Sequence, residues 1–101
     1  MKQEFLFSLE GTKRKCSAEL VYQPEMFLKV IIKVYASQNV DFKVTIYSNP
    51  SFTGFSELMK KDSETLLSEA IERFKQKGAP EQLCEVRKSG IMVIYAWSDD
   101  A

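Results

Sequence analysis

Three lysines and two tyrosines recur at odd positions in two neighbouring stretches: Lys29, Lys33 and Tyr35 in KVIIKVY, and Lys43 and Tyr47 in KVTIY. Phe27, Ile31 and Thr45 continue the same parity, and Lys15 borders it. Ammonium groups set among aromatic rings suit an acidic protein surface, with the rings as desolvated anchors and the lysines giving steering and register. The same set suits single-stranded nucleic acid, rings stacking on bases and ammonium groups meeting phosphates. The plain alternative is a solvated sheet face, where lysine and tyrosine are common.

Other chemistry is thinly supplied. The chain has no histidine, which removes Ser-His and Cys-His nucleophile pairs and the side chain best suited to proton transfer near neutral pH. Two cysteines without histidine cannot assemble the common zinc sets, and four glycines at positions 11, 54, 78 and 90 make neither a phosphate loop nor a dinucleotide fingerprint. No metal and no cofactor is therefore expected. Cys84 stands near Arg87 and Lys88, whose charges would favour a thiolate, but its alternation with Val86 points to packing. Asp62 and Glu64 are a close carboxylate pair whose simplest role is to cap a helix and complement its dipole. Trp97 alternates with Val93 and Tyr95 as a core or rim residue, and Phe52 and Phe55 flank Gly54 where they can close one end of a core. Cys16 and Cys84 form a disulfide only if the fold brings them together; small free core residues are the simpler reading.

These groups need elements to position them. Phe5, Phe7 and Leu9 alternate with Glu4, Leu6 and Ser8, giving a first strand that ends at the turn signal Glu10-Gly11-Thr12. Residues 13–22 form a second, with Cys16, Ala18, Leu20 and Tyr22 on one face. Pro24 interrupts, and residues 26–36 then place Met26, Leu28, Val30, Ile32 and Val34 on one side at a period of two. After a turn at 37–39, Val40, Phe42, Val44 and Ile46 repeat that apolar side in a fourth strand. Successive short connections require an antiparallel meander.

Turn chemistry at 48–51 closes the meander, and residues 52–61 read as a loop, a helical turn or a short strand. Asp62 or Ser63 then opens a helix whose apolar stripe is Leu66, Leu67, Ala70, Ile71 and Phe74, with Glu69 and Arg73 spaced for an i,i+4 pair. Lys75, Lys77, Gly78 and Pro80 signal its end. Residues 83–88 favour a strand over a brief helix. Residues 91–97 are apolar at almost every position, the pattern of a strand covered on both faces, and a central place in the sheet is expected. The fold class is α+β: an antiparallel meander of about four strands, one α-helix packed on one sheet face, and one or two C-terminal strands.

Length fits one domain over residues 1–101, and 45% hydrophobic residues give enough apolar material to exclude a disordered chain. Fourteen basic and fourteen acidic residues cancel, so no global field draws the chain to polyanions. Residues 1–49 hold seven Lys/Arg against five Asp/Glu, a balance of +2, and residues 50–101 hold seven against nine, a balance of −2. No run approaches membrane-spanning length, the first ten residues alternate, and Pro50 blocks the Asn49 glycosylation triplet. A soluble cytoplasmic protein is expected.

These readings converge on a small non-enzymatic protein-binding module, of inhibitor, immunity or adaptor type. Its contact residues are Phe27, Lys29, Ile31, Lys33, Tyr35, Lys43 and Tyr47, its partner is another protein, and a homodimer through the same face is compatible with it. A nucleic-acid-binding module on that face ranks second, and a small enzyme using carboxylate or thiol chemistry third.

Overall fold

Alternating apolar and polar side chains build the meander, and helical spacing builds its cover. A computed structural model describes residues 1–9, 11–24, 26–51 and 54–77, together with the backbone of 92–96. The elements are β1 (Lys2–Leu9), β2 (Thr12–Gln23), β3 (Phe27–Ala36), β4 (Asn39–Ser48), α1 (Phe55–Met59), α2 (Ser63–Lys77) and β5 (Met92–Ala96). Strands β1 to β4 pair antiparallel with their sequence neighbours, and β5 adds parallel to β4. The α+β meander with a helix on one face is the architecture that the periodicities require.

Register stacks the inner face in rows. Phe5, Cys16, Val34 and Phe42 form one row across β1 to β4, and Ala18, Ile32 and Val44 form the next over β2 to β4. Helix α2 lays Leu66, Leu67, Ala70, Ile71 and Phe74 on this face, all of them buried. Phe74 is the keystone: its ring lies 4.7 Å from that of Phe7 and 6.1 Å from that of Phe5, the latter edge-on. The unassigned region contains the short helix α1, whose Phe55 and Leu58 close one end of the core, so Phe55 is a packing residue. Phe52 lies outside the described residues.

Two tight turns set the hairpins. Leu9 pairs with Thr12 around Gly11, whose φ of 80° is in the left-handed region. Ala36 pairs with Asn39 around Ser37 and Gln38, and Ser37 has a φ of 61°. Two-residue hairpins match strand twist through positive φ, at a steric cost for any residue with a Cβ.

Two expectations are corrected. Val40 was expected inside; a register shift between Val34 and Tyr35 sets it opposite Tyr35, where it is 42% exposed. Tyr22 and Met26 are also exposed, and both stand at the β2–β3 turn, where the strands end. Strand β5 was expected in the middle of the sheet. Among the described residues it pairs parallel with β4. Residues 83–88, Trp97 and the helix-stop signals Gly78 and Pro80 lie outside the described residues. No helix among the described residues is long and apolar enough to cross a membrane.

Candidate functional site on the outer sheet face

Because α2 covers the even-numbered face of β3 and β4, their odd-numbered side chains point the other way. Register sets Lys29 opposite Tyr47, Ile31 opposite Thr45 and Lys33 opposite Lys43. All seven residues singled out from the sequence therefore lie on one face. Strand β2 extends it, with Glu19 opposite Ile31 and Ser17 opposite Lys33.

The residues fall into three groups. At one end Phe27 and Tyr47 bring their rings to 6.2 Å, and the Lys29 ammonium sits 5.2 Å from the Phe27 centroid, a cation–π distance. In the middle, Lys33 and Lys43 face each other directly, an arrangement of like charges that is unfavourable on a sheet. None of Lys29, Lys33 and Lys43 takes part in the ion pairs formed among the described residues. At the far end, Tyr35 places its hydroxyl 3.4 Å from Ser17 Oγ. Eight residues of extended β3 separate Tyr35 from Phe27, about 26 Å, so the three aromatic residues do not make one cluster. Lys29, Ile31, Lys33, Lys43 and Tyr47 line a depression of about 550 Å³ that also takes in Glu19 and Thr45.

Glu19 is the residue that sequence reasoning missed. Its parity on β2 was legible, but only the β2–β3 register shows that it borders the lysines. Arg14 was missed for a similar reason. The β2–β3 ladder ends at Cys16 and Val34, and beyond it the Arg14 Nε donates to Tyr35 O at 2.8 Å. Its Nη2 meets Asp41 Oδ2 at 2.8 Å, clamping the irregularity that turns Val40 outward.

The remaining candidates resolve into structural roles where they are described. Asp62 caps α2, its Oδ1 accepting from Thr65 N at 2.7 Å, and that hydrogen bond holds its carboxyl below the ordinary value of 3.8. Glu69 is engaged by Lys61, whose Nζ lies 2.7 and 2.9 Å from its two oxygens, instead of waiting for Arg73. Cys16 is a free, buried thiol; burial raises its pKa to about 11 against the opposing pull of Arg14 and Lys75. A group so protonated is no nucleophile near neutral pH. Cys84, Arg87 and Lys88 lie outside the described residues. Among the described residues no group of three or more carboxylates or cysteines is placed to hold a metal ion.

No protein-family model, no curated protein and no solved structure matches this chain.

Proposed function

We propose that this chain is a small, non-enzymatic protein-binding module of the cytoplasm, acting through the outer face of β2, β3 and β4 as an inhibitor, immunity-type or adaptor protein. The observation that carries this reading is the directly opposed pair Lys33 and Lys43, beside the half-buried Phe27–Tyr47 aromatic pair. Opposed ammonium groups favour a ligand that brings carboxylates, and the ring pair offers a preformed apolar anchor. The lysines steer the encounter and the rings hold the complex.

Single-stranded nucleic acid is the second reading, supported by the same rings and ammonium groups. Glu19 weighs against it, because a carboxylate in the same depression would repel a phosphate track. The experiment is an affinity capture from lysate with and without nuclease, repeated with Lys29, Lys33 and Lys43 all changed to alanine. A discrete protein retained after nuclease, with slower association in the triple variant, supports the proposal. Loss of all retained material on nuclease treatment overturns it. Salt gives a second readout, since counterion release makes nucleic-acid affinity fall steeply with ionic strength.

A further inference from the structure

We propose that the outer face binds a second copy of this chain, sheet against sheet, about a two-fold axis running along the strands between β2 and β3. The inference rests on reading that face as a protein-contact surface and names its occupant.

Charge and apolar order across the sheet carry it. One row of the outer face reads Glu4, Ser17, Lys33, Lys43 from β1 to β4. A two-fold axis along the strands keeps each row facing itself while exchanging β1 with β4 and β2 with β3. Glu4 of each copy then lies over Lys43 of the other, which brings the opposed lysine pair a second carboxylate beside Glu19. One step past the Cys16–Val34 end of the β2–β3 ladder, Leu6, Lys15 and Tyr35 border one depression and continue the outer face. Leu6 on β1 is 56% exposed and pairs with Lys15, and Val40 on β4 is 42% exposed and pairs with Tyr35. The same axis brings Leu6 over Val40, covering the exposed large hydrophobic residues at both edges of the meander's outer face. An axis across the strands at Ile31 would instead set Lys33 over Lys29, so the charges also select the orientation. Packed sheets keep their strands within about 30° of each other, which this arrangement satisfies.

The test is sedimentation equilibrium of the full chain over a concentration series, for the wild type, Glu4→Lys, Lys43→Glu and the double variant. The wild type should approach twice its 11.6 kDa mass. Each single charge reversal should weaken dimerisation about tenfold or more, and the double reversal should restore it to within about threefold. Restoration also shows that the single variants did not fail merely by misfolding. A wild type that stays at monomer mass up to about 1 mM, the weak end of measurable affinities, overturns the inference, as does a dimer indifferent to the reversals. If the monomeric chain still captures a different protein through Lys33 and Lys43, only the second-copy assignment falls. If substitutions on this face alter neither self-association nor capture, the protein-contact reading falls with it.

Discussion

Cys16 shows how a reactive group is made inert by its surroundings. With its pKa raised from 9.0 to about 11 by burial, the thiol stays protonated in the folded state at a pH where the unfolded chain has begun to ionise. Its contribution to stability is whole below pH 9 and is lost as pH rises through about 11. Stability of the wild type should therefore fall more steeply across that interval than stability of Cys16→Ala, as read from denaturant midpoints. Cys16 should also resist a thiol reagent at pH 8 until the chain is unfolded. The Arg14–Asp41 clamp makes a second residue-scale prediction. Both side chains are mostly covered, so Arg14→Ala should destabilise by about 1–3 kcal/mol, the usual cost of hydrogen bonds to charged partners. It should also loosen Val40, visible as a change in its amide chemical shift.

At the scale of elements, the seat of α2 depends on Phe74, whose ring is held between the sheet and the helix by Phe5 and Phe7. Phe74→Ala should cost about 3–5 kcal/mol, measured by chemical denaturation, and should lower protection of α2 amides more than those of β3. The N-terminus of α2 responds to acid. Because Asp62 has a lowered pKa, its capping contribution is present above pH 3.8 and is lost as pH falls through the folded value. Asp62→Ala should flatten that part of the acid limb. These elements were legible because their periods were unambiguous: Leu28, Val30, Ile32 and Val34 repeat every second residue, and Leu66, Leu67, Ala70, Ile71 and Phe74 follow a helix. Val40 was not legible, since its direction is set by a register shift across a hairpin. The parallel pairing of β5 with β4 was not legible either, because an apolar run records coverage and leaves the identity of the neighbouring strand open. For the candidate face, parity revealed the lysines and rings, whereas Glu19 and the Lys33–Lys43 opposition needed the pairing of strands.

At the scale of the whole molecule, the described residues are laid out one-sidedly. A single helical layer covers one face of the sheet, and the seven candidate contact residues occupy the other. Central β3 is bonded on both sides and buries Leu28, Val30, Ile32 and Val34 to 1% exposure or less. Its amides should exchange slowest with solvent, at rates reporting global unfolding; faster exchange there than in β1 would contradict this order. The opposition of Lys33 and Lys43 has a further consequence. Repulsion within the folded chain disappears on unfolding, so whatever supplies a carboxylate between those ammonium groups raises the free energy of unfolding by mass action. The melting temperature thus becomes an occupancy gauge: it should climb with the concentration of the chain itself when the occupant is a second copy, and stay level on dilution when the occupant is absent.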